Sequence, residues 1–167
     1  MNKGWELKTL KDVGYIFSGN SINAKIKEEK YLGLADGLPY VATKDIGYNS
    51  VVNYESGIKI PYNEADSFSI ARKNSVLICS EGGSAGRKIG RVTNDVCFVN
   101  KLFAITPVNE TASKYIFYWY KSNSFKKEFD SRLTGLIGGV SKSKFESISI
   151  PIPGPDEQKK ITAKLDQ

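Results

Sequence analysis

Glycine and positive charge coincide in residues 80–91, SEGGSAGRKIGR, one residue after the apolar run SVLI. Glycine lets backbone N–H groups approach an anion closely, and Arg and Lys add attraction, so this combination suits phosphate. The spacing fits neither common nucleotide motif. A P-loop places Lys and then Ser or Thr after its second glycine, whereas Arg87-Lys88-Ile89 follows Gly86. The dinucleotide fingerprint opens a helix, whereas residues 89–96 indicate two strands joined by a turn.

A second glycine–cation segment, residues 134–145 with the sequence TGLIGGVSKSKF, contains Lys142 and Lys144. Ser143 and Glu146 have the spacing of a capping box, which predicts that a short helical turn begins there. Taken alone, the first segment is also compatible with a solvated glycine-rich hairpin, and the lysines of the second with solvated side chains.

The composition indicates one ordinary globular domain, since the chain has 167 residues of which 40% are hydrophobic and 25% charged. Its 24 Lys and Arg exceed its 18 Asp and Glu, and with no His the formal net charge is +6. This excess favours an anionic partner, most commonly nucleic acid. No apolar run approaches the roughly 20 residues of a membrane span, and the N-terminus lacks the apolar centre of a signal peptide. A cytoplasmic location without membrane association is expected.

Two cysteines, Cys79 and Cys97, lie in apolar contexts. Without His, two Cys cannot supply the four ligands of a zinc site, and a disulfide is not expected in a reducing compartment. We predict two buried thiols on neighbouring strands and no metal site.

The apolar pattern predicts an α+β fold that is rich in strands. Strands are predicted at residues 37–46, 75–80, 96–106 and 147–153, and residues 5–13 are predicted as an extended segment leading into a helical turn, with Trp5, Leu7 and Leu10 facing inward. Residues 18–31 indicate a turn and an exposed loop. One helix is predicted over residues 109–133, with a core-facing stripe at helical spacing formed by Ile116, Trp119, Tyr120, Phe125, Phe129 and Leu133.

A last helix is predicted to begin at Pro155, where proline and two acids suit a helix N-terminus. Gln158, Ile161 and Leu165 follow at intervals of three and four residues, as in a coiled-coil seam, and form a predicted partner-binding edge. About three turns are too short to be stable alone in water. This edge must therefore pack on the domain itself, on a partner or on a continuation of the helix.

In this order, the features resemble a target recognition domain of the specificity subunit of type I restriction–modification enzymes. The resemblance covers essentially the whole chain. Its most specific part is the end of the sequence, where a strand with the pattern Ile-Pro-x-Pro is followed by the pattern Glu-Gln-x-x-Ile. It rests on WELKTL (5–10), IFSG (16–19), LPYV (38–41), TKDI (43–46), SVLI (75–78), GRKIG (86–90), FVNK (98–101), VSKSKF (140–145), IPIP (150–153) and EQKKI (157–161).

The resemblance implies a DNA target recognition domain at residues 1–153 and the beginning of the conserved spacer helix at residues 154–167. Family members usually carry two such domains, separated by long helices that form an antiparallel coiled coil. Each domain reads one half of a split sequence in double-stranded DNA, and the methyltransferase subunits dock around the helices. We therefore expect the chain to be either a fragment of a longer subunit or a half-length subunit that associates with itself. The unfinished seam favours a fragment.

Under this interpretation the two glycine–cation segments contact duplex DNA, and both must lie on the same side of the molecule. Phosphates then give affinity and register, while base edges give the choice of sequence. The predicted DNA-binding residues are Asn20, Asn23, Lys25, Lys44, Asn49, Gly82, Gly83, Ser84, Gly86, Arg87, Lys88, Arg91, Gly138, Gly139, Ser141, Lys142 and Lys144.

The resemblance also implies that the chain has no catalytic residue and no cofactor of its own. S-adenosylmethionine, ATP and Mg are expected on the partner methyltransferase and restriction subunits. Two alternatives stay open at this point. The chain could be a protein-interaction domain that acts through its C-terminal helix, or a nucleotide-dependent enzyme that uses the first glycine segment, with Glu81 as the one candidate acid.

Overall fold

Two four-stranded sheets, a two-stranded sheet and six α-helices make up the computed structural model, which describes residues 2–167. The predicted α+β class is confirmed. The strands are β1 (Glu6–Thr9), β2 (Gly14–Ser18), β3 (Leu38–Val41), β4 (Lys59–Ile60), β5 (Ile70–Ala71), β6 (Val76–Cys79), β7 (Ile89–Arg91), β8 (Val96–Phe98), β9 (Leu102–Pro107) and β10 (Ser149–Ile152). The helices are α1 (Leu10–Val13), α2 (Ala24–Ile26), α3 (Glu110–Tyr120), α4 (Asn123–Asp130), α5 (Lys142–Glu146) and α6 (Pro155–Leu165).

The first sheet has the strand order β2-β9-β6-β7, and all its neighbours are antiparallel. The second has the order β4-β3-β8-β5, in which β3 and β8 run parallel. In the third, β1 pairs with β10, so that Glu6 lies opposite Ile152 and the first strand of the chain lies beside the last. Strands β6 and β7 form a hairpin whose connection is the first glycine–cation segment.

Strand β6 is buried on both faces, which explains its unbroken apolar sequence. Val76 and Ile78 belong to a core shared with the helices. Leu77 and Cys79 point the other way, into a second core that includes Phe98 of the second sheet. The loop that leaves β6 is therefore carried by the most completely packed strand of the first sheet.

The helical segment after β9 is interrupted, so the single helix predicted over residues 109–133 is wrong. Ser122 Oγ accepts a 3.1 Å hydrogen bond from the N–H of Phe125 and caps α4. A serine at this position satisfies a free backbone N–H at the start of a new helix, and its extended backbone ends the preceding helix. The predicted stripe still lies in the core, because Tyr120 and Phe125 stack across the break with ring centroids 4.7 Å apart. Leu133 lies beyond α4 and is exposed.

Three further predictions differ from the structure. The long strand predicted at residues 96–106 is two strands, because β8 lies in the second sheet and β9 in the first. The predicted exposed loop contains α2 and a π-helical turn (Lys27–Tyr31), since Asn23 Oδ1 accepts a 2.9 Å hydrogen bond from the N–H of Lys25. Leu7, predicted to face inward, is exposed.

Both cysteines are buried with free thiols, as predicted, but they lie in different sheets rather than on neighbouring strands. Burial raises the pKa of Cys97 to about 11 and also raises that of Cys79. Both thiols are therefore small apolar core groups at neutral pH. Among residues 2–167, no helix combines the length and hydropathy needed to cross a bilayer.

Candidate nucleic-acid interface

The two glycine–cation segments lie side by side. We call residues 80–88 loop A and residues 134–142 loop B. The N–H of Gly82 donates to the carbonyl of Gly138 at 2.8 Å, and the N–H of Val140 donates to the carbonyl of Ser80 at 3.0 Å. Glu81 and Gly139 form an isolated antiparallel bridge between these two bonds. Segments that are distant in the chain are thus joined into one surface.

The glycines of loop A have two different roles. Gly86 has φ +72°, and a Cβ there would lie 2.5 Å from the ring of Phe129, so this glycine lets the loop pack on α4. Gly82 also has a positive φ, of +83°, but a Cβ on Gly82 or Gly83 would meet nothing within 4 Å. Only the latter pair leaves open space beside the backbone, as the approach of a phosphate requires.

Tyr48 connects a third segment to loop A. Its hydroxyl lies 3.0 Å from Ser84 Oγ, and its ring lies beneath two cations, with Arg87 Cζ 5.1 Å and Lys88 Nζ 5.2 Å from the centroid. Lys88 Nζ also donates to the carbonyl of Thr43 at 3.2 Å. The exposed ring of Tyr48 thus contacts both cations, of which Arg87 is exposed and Lys88 is half-buried.

The predicted residues Lys44 and Asn49 flank Tyr48 and are both exposed. Asn49 Oδ1 accepts a 3.1 Å hydrogen bond from the N–H of Val51, which stabilises the turn. Sequence reasoning missed Tyr48 itself. The signal available was an aromatic residue within the polar stretch DIGYNS, directly before the predicted residue Asn49.

Loop B ends in a short cationic helix. Ser141 caps α5 by accepting a 3.4 Å hydrogen bond from the N–H of Lys144, two residues before the predicted capping box at Ser143. Lys142 and Lys144 are exposed, and Lys142 Nζ lies 3.7 Å from Glu146. This ion pair is half-exposed and only weakly stabilising, so the lysine can exchange its partner for a phosphate.

A groove of about 250 Å³ extends from loop A to the junction of α3 and α4. Tyr48 and Arg87 line one part, and Lys121 and Lys126 line another. Sequence reasoning missed both lysines, because the aromatic stripe dominated the helical pattern. Lys126 is paired with Asp130, so its charge is partly neutralised.

Arg91 is used inside the protein. Its guanidinium donates to Ser113 Oγ at 2.8 Å and to Asn74 Oδ1 at 2.7 Å, and it lies 3.4 Å from Glu110. The side chain is only 18% exposed. It ties β7 to α3, so its charge is committed to the fold.

Three other predicted residues lie apart from the loops. Asn20 is half-buried, and its Oδ1 accepts a 2.7 Å hydrogen bond from the N–H of Ser69. Asn23 caps α2, and Lys25 is exposed, with Nζ 4.0 Å from Glu29. None of the hydrogen bonds that these three residues make within residues 2–167 involves loop A or loop B.

The C-terminal helix packs on its own domain, which is one of the three possibilities that the sequence left open. Ile161 is half-buried against the core, and Gln158 Nε2 donates to the carbonyl of Pro153 at 2.9 Å. Leu165 is 52% exposed. Trp5 Nε1 donates to Glu157 at 2.9 Å, which fixes α6 to the N-terminal segment. Of the predicted partner-binding edge, only Leu165 is left largely free.

Asp166 anchors the end of α6 to α3. It accepts hydrogen bonds from Lys114 Nζ at 2.8 Å and from the hydroxyl of Tyr118. These bonds hold the pKa of Asp166 below its usual 3.8, and the same contact raises the pKa of Tyr118.

Comparison with known proteins agrees with this architecture. The family model described as "Type I restriction modification DNA specificity domain" matches residues 2–167. The chain is 28% identical over 173 residues to the type I restriction enzyme MjaIX specificity subunit of Methanocaldococcus jannaschii, a match that covers 98% of this chain and 37% of that protein.

Solved structures show the same fold. The HsdS subunit from Thermoanaerobacter tengcongensis has a TM-score of 0.74 at 23% identity, covering 100% of this chain and 37% of that one. The S subunit of a type I restriction–modification system from M. genitalium has a TM-score of 0.65 at 18% identity, covering 99% and 40%. A chain from a study of complex assembly and conformational transition of the type I R-M system has a TM-score of 0.76 at 22% identity, covering 100% and 38%. The chain spans less than half the length of each of these proteins.

Proposed function

The chain belongs to the type I restriction–modification DNA specificity domain family, and we propose that it reads one half of a split target sequence in double-stranded DNA. The observation that carries this proposal is the hydrogen-bonded contact between loop A and loop B, which gathers exposed cations from both. Tyr48 adds the neighbouring segment to the same surface. We call this combined region the loop surface.

The residues of the loop surface divide by chemistry. Its cations, Lys44, Arg87, Lys88, Lys142 and Lys144, suit phosphate contacts, which give most of the salt-dependent affinity. The backbone at Gly82 and Gly83 is open, so a phosphate can approach the N–H of Gly83, whereas the N–H of Gly82 is already bound to the carbonyl of Gly138.

Base contacts require side chains with matched donors and acceptors. Arg87 suits guanine, and Ser84 can contact several bases. Asn49 can donate from its amide N–H2 to adenine, although its Oδ1 is bound to the N–H of Val51. Arg91, Asn20 and Asn23 are left out of this assignment because their polar atoms are used within the fold. Gly86 is left out because it packs against Phe129.

The chain supplies recognition in this proposal, and partner subunits supply the chemistry. Methyl transfer with S-adenosylmethionine and cleavage driven by ATP with Mg belong to the methyltransferase and restriction subunits. These subunits, or a second recognition domain, dock along the exposed edge of α6 near Leu165. Ile161 offers less surface for this contact, since it is half-buried against the core.

Selection from a pool of 40-base-pair duplexes with a random centre tests sequence recognition directly. The proposal expects the 167-residue chain to enrich one short sequence over repeated rounds, with a discrimination of about 1–3 kcal/mol per mismatched base pair. Binding without enrichment of any sequence, or no binding at all, contradicts the proposal.

A protein-interaction domain is the second candidate. It is favoured by the exposed Leu165 beside an apolar groove lined by Trp5, Trp119 and Ile161. Binding of a methyltransferase subunit by a chain that binds no duplex would establish this alternative in place of DNA recognition.

A further inference from the structure

The turn of loop B carries an apolar tip formed by Leu136 and Ile137. Leu136 is fully exposed and Ile137 is 82% exposed, the two highest exposures of large hydrophobic residues among residues 2–167. Gly135 and Gly138 flank them with φ of +82° and +79°, which lets the chain reverse within four residues. The tip projects both aliphatic side chains into water.

The base of the tip is fixed. Two hydrogen bonds join Thr134 and Gly139, from the N–H of each to the carbonyl of the other, at 2.9 and 3.0 Å. Gly138 is bound to loop A, and Val140 is buried just beyond the turn. A turn that is held at both ends presents its side chains in a defined direction. Exposed aliphatic side chains are unfavourable in water, so we expect the tip to be covered in the functional state.

The charges around the tip indicate what covers it. Lys142 and Lys144 follow five and seven residues after Ile137, and Arg87 and Lys88 lie in loop A, to which loop B is bound. Glu81 is the one carboxylate in the two loops. An apolar point on a surface whose two loops carry more cations than carboxylates is complementary to the interior of a DNA groove, where phosphates line the rim and base pairs form the floor.

Resting on the proposed function, we propose that the apolar tip is a wedge that enters the minor groove and inserts between two neighbouring base pairs. Branched aliphatic side chains such as Leu and Ile partly unstack a base step in this way and bend the duplex. The minor groove, about 6 Å wide, admits a side chain on a narrow turn but no helix. The cations of the loop surface hold the phosphates of the deformed step.

The wedge would contribute to sequence choice without a hydrogen bond to any base. Pyrimidine–purine steps unstack more easily than others, so a flexible step is favoured where the tip inserts. The chain would then read part of its target through deformability, in addition to the base edges that face Asn49, Ser84 and Arg87.

Base stacking can be followed with 2-aminopurine, whose fluorescence rises when it is unstacked. The probe is a 40-base-pair duplex selected by the wild-type chain from the random pool, with 2-aminopurine replacing adenine at one position at a time. Fluorescence anisotropy verifies that each duplex is saturated. The proposal expects a rise of several-fold at one step with the wild-type chain, and loss of that rise with the Leu136→Ser/Ile137→Ser variant at saturation.

Val108→Ser is the matched control, because Val108 is also highly exposed but lies between β9 and α3. It should keep the wild-type signal. A saturated wild-type complex without a rise at any position, or an unchanged rise in the double variant, overturns the wedge and leaves DNA recognition standing. A wild-type chain that binds no duplex overturns the proposed function and the wedge together.

Discussion

The N–H of Gly82 donates a 2.8 Å hydrogen bond to the carbonyl of Gly138, and this bond joins the two cationic loops of the domain. Without this contact, each loop would be an isolated glycine-rich hairpin. With it, Arg87 of loop A and Lys142 of loop B belong to one surface. The mechanism proposed for DNA binding depends on this juxtaposition.

Gly86→Ala should destabilise the fold, whereas Gly83→Ala should not. Alanine at position 86 would be strained at φ +72° and would meet the ring of Phe129 at 2.5 Å. We expect a loss of about 2–4 kcal/mol in the free energy of unfolding. At position 83 a Cβ meets nothing within 4 Å. Urea unfolding of both variants checks this difference, and equal stabilities would contradict the assigned packing role of Gly86.

Arg91→Ala should weaken folding more than DNA binding. The substitution leaves Asn74 and Ser113 without their donor at the contact between β7 and α3, at a cost of about 1–3 kcal/mol. Arg87→Ala should show the opposite pattern, since Arg87 is exposed over Tyr48. Chemical unfolding and duplex binding are measured on both variants. An Arg91→Ala protein of wild-type stability that has lost DNA affinity would return Arg91 to the DNA contacts.

Ile161→Asp should destabilise the isolated domain, because Ile161 packs against the main core. A carboxylate in place of a half-buried aliphatic side chain costs about 1–3 kcal/mol. Leu165→Asp is the matched variant on the same helix, and its stability should stay close to wild type since Leu165 is largely exposed. If assembly with methyltransferase subunits is lost in Leu165→Asp, the exposed edge of α6 is a partner site. Wild-type stability of Ile161→Asp would show that the packing of Ile161 on the core of the domain does not stabilise the fold.

The contact of Asp166 with Lys114 and Tyr118 should make the folding stability of the domain decrease at acidic pH. Because these bonds lower the folded-state pKa of Asp166, its contribution is present above the usual value of 3.8 and is lost as pH falls through the lower folded value. The loss of stability between about pH 6 and pH 3 should therefore be smaller in Asp166→Asn than in the wild type. Thermal unfolding at the two pH values tests this, with Asp156→Asn as the control on the same helix. Parallel pH dependences of wild type and Asp166→Asn would contradict it.

Local sequence patterns predicted many of the strands and helices of this domain. Most of the wrong predictions concern which distant segments pair with each other. The apolar run of β6, the strand β10 and the start of α6 at Pro155 follow from local composition. The separation of β8 and β9 into different sheets depends on their pairing with β3 and β6, which are remote in the chain. From the sequence, Ser122 could lie either inside one long helix or at the N-cap of a second helix. The packing of the aromatic side chains around it decides for the N-cap.

The candidate site shows the same division. The combination of glycine with Lys and Arg identified both loops in the sequence. The DNA-binding hypothesis needed the two loops to be neighbours, and the hydrogen bonds from Gly82 and Val140 show that they are. Arg91 and Lys88 are both cations close to the same glycines, yet one is bound to Ser113 and the other faces Tyr48. The difference arises from the face of the strand on which each side chain lies and from the positions of hydrogen-bond acceptors that are distant in the chain. Neither can be read from a single sequence.

The salt dependence of duplex binding tests the loop surface most directly. The wild-type chain should lose about a thousandfold in affinity between about 50 and 200 mM salt if roughly six phosphates are contacted. Arg87→Ala/Lys142→Ala, with one substitution in each loop, should bind all duplexes more weakly and flatten the log–log salt slope by about 2. Lys159→Ala/Lys164→Ala on α6, which removes equal charge, should keep the wild-type slope. A salt slope near zero for the wild type, or identical slopes for the two double variants, would contradict DNA binding by loops A and B.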